Sequence, residues 1–321
     1  MRVAIVGCGL MGRRRAAALG EARLTVCCDA DRQRAEELAR STPGAVAVED
    51  WQAAVTRPGV DLVLVATPHD LLAPVATAAA LAGKHVLIEK PGARHASELE
   101  PVLAAARTRG VRVRVGFNHR YHRALRRARE IVARGELGEL MYVRGRYGHG
   151  GRAGYEREWR AVPDRSGGGE LIDQGSHLID LAAWFLGDFT QVRGSIHTYF
   201  WPMPVEDNAF LLLETAAGRT AFLHASWTEW KNLFSFEIFG RAGKLEIDGL
   251  GGSYGVERLT HYRMAPEMGP PETVAWEFPM ADDSWTVEFA EFLDDIRLAR
   301  EPRPGIPEAQ AALRVVEQVY R

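Results

Sequence analysis

Short apolar runs alternate with helix-period stretches through the first third of the chain. Runs at residues 3–6, 24–28, 45–48, 61–66, 85–88 and 112–116 read as strands, most of them apolar enough to be buried on both faces. Helix formers lie between them, at 13–19, at 71–82 with Gly83 as the stop, and at 97–108 with Ser97 as the cap. Strand and helix in strict turn, with short connections, predict a doubly wound parallel sheet over residues 1–117. Ligands on such sheets bind beyond the carboxyl ends of the strands, where Gly7, Asp29, Thr67 and Glu89 stand.

After residue 117 the pattern changes. An arginine-rich helix is predicted over 118–134, its apolar stripe supplied by Leu125, Ala128, Ile131 and Val132. A strand follows at 140–147. Further strands at 192–200, 209–215, 219–227, 234–239 and 244–248 are joined mostly by short loops, and 256–264 and 274–278 extend them. The expectation is a large, mostly antiparallel open sheet with helices on one face. Side chains such as Phe210, Leu212, Phe222 and His224 would supply one or other of its faces, and the uncovered face would join two or four copies. Helices at 284–298 and 307–320 close the chain, the last expected to pack back near the first domain. The predicted division is 1–117 for dinucleotide binding and 118–321 for substrate binding and oligomerisation.

The first strand ends at Gly7-Cys8-Gly9-Leu10-Met11-Gly12 and a helix follows, the context in which G-x-G-x-x-G signals a dinucleotide. Gly7 serves the turn, Gly9 the approach of a pyrophosphate, and Gly12 the packing of helix on strand. Arg13, Arg14 and Arg15 crowd the helix N-terminus against its dipole; either a bound diphosphate relieves them or they are solvated. Asp29 ends the second strand, where a carboxylate accepts from the adenosine ribose and repels a 2′-phosphate, so NAD is expected over NADP. Arg32 nearby keeps NADP possible. The fifth strand runs into Glu89-Lys90-Pro91, putting Lys90 at the ligand edge, either to bond a substrate hydroxyl or as a surface lysine.

The stretch Gly167-Gly168-Gly169-Glu170-Leu171-Ile172-Asp173-Gln174-Gly175-Ser176-His177 combines a close backbone approach with a carboxylate and an imidazole four residues apart. On a helix these share a face and suit proton transfer to a small molecule. A capping aspartate and a core histidine would produce the same spacing. The preceding loop, 148–165, mixes glycines with His149, Arg152, Tyr155, Trp159 and Arg160, a composition suited to ordering over a polyol or sugar. Arg146, Trp227, Trp230 and Lys231 are further pocket candidates.

The net charge of -2 gives no bulk attraction to nucleic acid or to anionic membranes. No run approaches a membrane span, and a strand begins almost at residue 1, so no signal peptide is visible. Cys8, Cys27 and Cys28 offer neither metal spacing nor a disulfide framework; a reducing cytoplasm and no metal are expected.

Taken together, Gly7-x-Gly9-x-x-Gly12, Asp29, Glu89-Lys90-Pro91, Gly116-Phe117-Asn118-x-Arg120 and Gly167-Gly168-Gly169-x-Leu171-x-Asp173-x-Gly175-x-His177-x-x-Asp180 resemble the Gfo/Idh/MocA family of NAD(P)-dependent oxidoreductases. The resemblance runs through essentially the whole chain. It implies a Rossmann domain followed by an α/β domain with a large, mostly antiparallel open sheet. It puts Lys90, Asp173 and His177 in the catalytic positions. Cofactor contacts would come from Gly7, Gly9, Leu10, Met11, Gly12, Asp29, Thr67, Pro68, Glu89 and Lys90, and substrate contacts from Asn118, Arg120, His149 and Trp159. The implied reaction is hydride transfer between nicotinamide and a secondary hydroxyl or ketone of a sugar, inositol or sugar derivative. His177 is the expected proton acceptor, Asp173 the group that orients the substrate, polarises His177, or does both, and Lys90 the group that holds the reacting oxygen. One departure stands out: the family's Asn-x-x-His after Thr67-Pro68 is replaced by His69 and Leu72. Two other readings stay open. One is an enzyme that retains its NAD and oxidises a sugar transiently during hydrolysis or epimerisation; the other is a non-catalytic regulator that uses the fold as a sensor.

Overall fold

The computed structural model describes residues 1–267 and 269–321. The chain runs β1 (Arg2–Val6), α1 (Leu10–Ala17), β2 (Arg23–Cys28), α2 (Arg32–Arg40), β3 (Val46–Val48), α3 (Trp51–Thr56), β4 (Leu62–Val65), α4 (His69–Leu81), β5 (His85–Glu89), α5 (Leu99–Arg109) and β6 (Val113–Gly116). It continues through α6 (Arg123–Ala133), β7 (Leu140–Gly148), the short α7 (Pro163–Ser166), α8 (Ser176–Leu186), β8 (Phe189–His197), β9 (Asn208–Thr215), β10 (Thr220–Ser226), β11 (Leu233–Gly240), β12 (Gly243–Asp248), β13 (Glu257–Arg263) and β14 (Glu272–Phe278). Helices α9 (Ser284–Arg297) and α10 (Ile306–Val319) follow. Two compact units result. One takes residues 1–117, 164–167 and 285–313; the other takes 118–163, 168–284 and 314–321.

The first unit is built on a six-stranded parallel sheet in the order β3-β2-β1-β4-β5-β6. Reversal of strand order between β1 and β4 opens the crevice where such sheets bind ligands. Every residue of β4 is buried, as its unbroken Leu-Val-Leu-Val run requires. The core joins Val3, Ile5, Leu62, Leu64 and Leu87 of the sheet to Phe289, Phe292 and Leu293 of α9. Each such side chain is worth about 1.5–3 kcal/mol of burial. Helix α5 begins at Leu99, two residues later than expected, after a 3-10 turn at Ala96–Glu98, and its N-cap is Glu98 in place of the expected Ser97.

In the second unit eight strands lie in the order β14-β13-β12-β11-β7-β10-β9-β8, and β7 with β10 is the one parallel pair of this sheet. Period-two alternation sorts its faces. Leu211, Leu213, Leu223, Phe236, Ile238, Leu245 and Ile247 point inward and are buried; α6 and α8 pack on this sheet. Phe210, Leu212, Phe222 and His224 share the opposite, uncovered face, with Leu212 46% and Phe222 49% exposed. The helix expected over 118–134 divides: a 3-10 turn covers Asn118–Tyr121 and α6 starts only at Arg123. Among the described residues no helix is long and apolar enough to cross a membrane.

Candidate active site

The glycine loop of the first unit has the geometry of a phosphate approach. Gly7 sits at φ +98°, a value that L side chains rarely adopt, and a Cβ there would collide with the Ala66 carbonyl. A Cβ on Gly12 would strike the Gly7 carbonyl, whereas Gly9 faces open space. Leu10 is 68% exposed. Asp29, partly exposed at the end of β2, ties the loop in place: one carboxylate oxygen accepts from the Cys8 amide at 2.8 Å and the other from the Asp31 amide at 2.9 Å. The Thr67 hydroxyl is buried beside this loop without a hydrogen-bond partner among the described residues. An open approach at Gly9, a fixed carboxylate and an orphaned hydroxyl fit a dinucleotide. Arg32 is engaged by Glu36 at 2.7 Å and Glu49 at 3.5 Å, so its charge is already answered by carboxylates.

The three arginines of α1 part company. Arg13 reaches Glu37 and the Cys8 carbonyl, and Arg14 is exposed. Arg15 is neither solvated nor available to a phosphate: it is buried, with Nε 2.5 Å from Glu89 and Nη1 2.5 Å from Glu288, beneath the Trp285 ring at 4.4 Å. Burial works against its charge, but Glu288 and Glu89 outweigh that and raise its pKa. Glu89 is thus held by Arg15 immediately before Lys90. His69, the residue in place of the family's usual Asn, is buried with Nδ1 2.7 Å from the Ser166 carbonyl, and Leu72 is in the core.

The glycine run approaches protein. Gly167, which belongs to the first unit, is at φ +79°; Gly168 and Gly169 belong to the second. A Cβ on Gly168 would overlap Tyr320, and one on Gly169 the Glu206 backbone. Glu206 accepts from the Gly169 and Leu171 amides, each at 3.0 Å, and from the Tyr320 hydroxyl at 2.7 Å. Burial raises its pKa despite these bonds. So clamped, the backbone enters α8 through a π-helical turn, Leu171–Gly175, in place of the expected α-helical one. Such turns recur at functional sites.

That turn carries Asp173, and His177 opens α8 just after it. Both are buried, at 8% and 5% exposure. Asp173 accepts from Arg160 Nε at 3.0 Å. The His177 ring lies against His119, and Tyr147 meets it edge-on at 6.2 Å. Burial pushes the Tyr147 hydroxyl well above its ordinary pKa. His149 joins this neighbourhood: burial lowers its pKa, Asp173 opposes, and Arg152 and Arg160 reinforce the fall. Trp159 is partly exposed beneath the Arg160 guanidinium, 4.6 Å away. Arg120 is spent on Asp180, with both fork nitrogens bonded at 2.8 and 2.6 Å. Asn118 donates to Ser284 at 3.0 Å.

Other pocket candidates fall elsewhere. Trp227 is wholly buried in a cluster with Tyr155, Ala161, Met203 and Val205. Arg146 is exposed and points to the uncovered face of the sheet, because its neighbour Tyr147 takes the side of His177. Trp230 is 63% exposed and meets Phe200 edge-on; Lys231 is exposed. The loop at 148–165 is folded, with two 3-10 turns and α7. His119, Glu206, Glu288 and Tyr320 were not singled out from sequence, although His119 lies inside Asn118-x-Arg120; Arg15 was marked, but as solvated or phosphate-relieved, and is in fact buried between two carboxylates.

Two family models match the chain: the oxidoreductase family, NAD-binding Rossmann fold, over residues 1–117, and the GFO/IDH/MocA C-terminal domain over residues 125–246. The chain belongs to the Gfo/Idh/MocA family. Its first unit is therefore the family's NAD-binding Rossmann domain. A levoglucosan dehydrogenase of Pseudarthrobacter phenanthrenivorans is 29% identical over 68% of this chain and 59% of its own length, so the match spans about three fifths of that relative. The scyllo-inositol 2-dehydrogenase (NAD(+)) of Bacillus subtilis is 25% identical over 94% of this chain and 88% of its own. A levoglucosan dehydrogenase solved with NADH and levoglucosan has the same fold, with a TM-score of 0.90 at 22% identity, covering 100% of this chain and 96% of that one.

Proposed function

We propose that this chain is an NAD-dependent dehydrogenase acting on a secondary hydroxyl of a cyclic polyol, sugar or sugar derivative. The observation that carries the reading is the buried Asp173/His177 pair, Asp173 on a clamped π-turn and His177 in the first turn of α8, in a chain whose other unit is an NAD-binding domain. The names of its relatives, levoglucosan dehydrogenase and scyllo-inositol 2-dehydrogenase, supply the substrate class.

Gly7, Gly9, Leu10, Met11, Gly12, Asp29, Thr67 and Pro68 would hold a dinucleotide, whose nicotinamide would supply the hydride acceptor or donor. The chain's own residues manage the oxygen and its proton. His177 takes the hydroxyl proton in oxidation and returns it in reduction; an imidazole, with an ordinary pKa near 6.5, serves both directions. Asp173 orients the substrate and His177, and Arg160 holds that carboxylate in place. Lys90 bonds the reacting oxygen and favours its developing negative charge. Glu89 belongs to the scaffold that holds Lys90, given its buried bond to Arg15. His149 and Trp159 border the substrate.

We further assign a homodimer or homotetramer joined through the uncovered sheet face, on which Leu212 and Phe222 stay exposed in one copy. A reducing, cytoplasmic setting suits the three free, buried thiols; burial raises Cys27 to about 11 and Cys28 to about 12. The deciding experiment is a panel of sugars, inositols and nucleotide sugars with NAD and with NADP, read at the reduced-nicotinamide absorbance. Turnover-linked reduction of NAD supports the reading. No absorbance change with any member, in protein that binds NAD, removes it.

A further inference from the structure

Two imidazoles lie face to face at the proposed acid/base. The His119 and His177 ring centroids are 3.6 Å apart and the planes 21° from parallel. Both side chains are buried. His119 comes from the turn Asn118–Tyr121 and His177 from the first turn of α8. Hydride transfer assigns no task to a second histidine there.

The surroundings define what each ring can do. Asn118 donates its amide to Ser284, which leaves its Oδ1 to face His119 Nδ1 at 3.3 Å as an acceptor. Neutral His119 therefore keeps its proton on Nδ1. His122 lies edge-on to His119 at 5.6 Å, with its own Nδ1 2.6 Å from Glu257. Tyr147 of β7 meets both stacked rings edge-on, and Tyr254 packs on Tyr147. The nearby charges are Asp173 with Arg160, Asp180 with Arg120, Glu257 with His122, and Glu170 on the turn before Asp173. None of these lies between the stacked planes.

Two imidazolium rings at this separation repel each other where water screens little. A proton cannot pass straight between them either, since ring N–H bonds lie in the ring planes and the planes face each other. We propose that His119 and His177 titrate as a coupled pair that holds at most one proton over the working pH range. His119 is then a positioning residue that sets the protonation of the acid/base without touching substrate. The coupling stands on the ring geometry; its importance for turnover rests on the reading of His177 as acid/base.

Imidazole NMR titrations of the full-length protein test this, using wild type, His119→Phe and His177→Phe. Phenylalanine keeps a flat ring in the stack and removes the titrating group. In wild type both rings should respond in two steps separated by more than about one pH unit. The two wild-type pKa values should sum to at least about one unit less than the sum of the values each histidine shows alone. Equal sums, or independent single-step curves, overturn the pairing. If a phenylalanine variant fails to fold, the wild-type curves still decide, and the glutamine variant at the same position, His119→Gln or His177→Gln, replaces it for the sum. The acidic limb of kcat/KM in His119→Phe should become a single ionisation at the value NMR gives His177. A coupled titration with a limb that ignores it would keep the pair and reject His177 as the acid/base.

Discussion

Arg15→Met should carry a large cost in stability outside the catalytic groups. Arg15 is fully buried and answers two carboxylates, Glu89 and Glu288, each at 2.5 Å and each nearly inaccessible. Methionine fills much of the volume but leaves both carboxylates buried without their cation. Removing one member of a buried pair costs about 3–5 kcal/mol, because the remaining charge is uncompensated. For a unit of this size that corresponds to a fall of roughly 6–20 °C in melting temperature. The loss should depend on pH in a definite direction. Burial already holds Glu288 above its ordinary range, with Arg15 opposing. A carboxyl raised in the folded state stabilises below its unfolded pKa, and that contribution disappears as pH rises through the folded value. Without Arg15 the Glu288 carboxyl rises further, so the deficit should be larger at about pH 8 than at about pH 5. Urea denaturation at both pH values measures it. Adding Glu89→Gln and Glu288→Gln to Arg15→Met should recover most of the loss. A single variant less than about 1 kcal/mol below wild type, with no pH dependence, would refute the assignment of Arg15 as the cation of this cluster.

Other outcomes are equally concrete. NAD should bind at least tenfold more tightly than NADP, about 1.4 kcal/mol, because Asp29 stands at the end of β2; direct titration of both cofactors checks this, and equal affinity would discard Asp29 as the discriminator. Tyr320→Phe removes one of three bonds that hold Glu206 on the glycine turn and should lower stability by about 1 kcal/mol in denaturant titrations, with turnover reduced by the loosened π-turn; unchanged values would separate α10 from the site. Light scattering at micromolar concentration should give a dimer or tetramer, and Phe222→Glu should give monomers; a wild-type monomer of 35.5 kDa would end the idea of pairing through the sheet face.

Much of the fold was legible because local and global signals agree. Doubly buried strands such as Leu62–Val65, alternating with helices, call for a sheet covered on both sides, and the glycines at Gly7–Gly12 sit where backbone must approach closely. Alternation placed Phe222 and Leu223 on opposite faces, although sequence left open which face was covered. What stayed hidden depends on partners distant in sequence. Arg15 looks like a solvated arginine until Glu288 arrives from α9, 273 residues later. The glycine run at Gly167–Gly169 announces a close approach but not that Tyr320 and Glu206 are what approaches. The π-turn has no period of its own in so short a segment, so Asp173 and His177 read as an α-helical pair. Trp227 and Arg146 illustrate the converse: aromatic and basic side chains near a site sequence are core or outer-face residues when alternation turns them away.

The central claim, that His177 moves the proton in an NAD-dependent oxidation, is tested most directly by turnover and NAD affinity measured together in His177→Ala. The glycine loop and Asp29 belong to the other unit, so NAD affinity should stay nearly unchanged and the protein should remain folded. Turnover should fall by roughly 10²–10⁴-fold, the contribution of a positioned acid/base. A folded His177→Ala protein that keeps nearly full turnover would contradict the account.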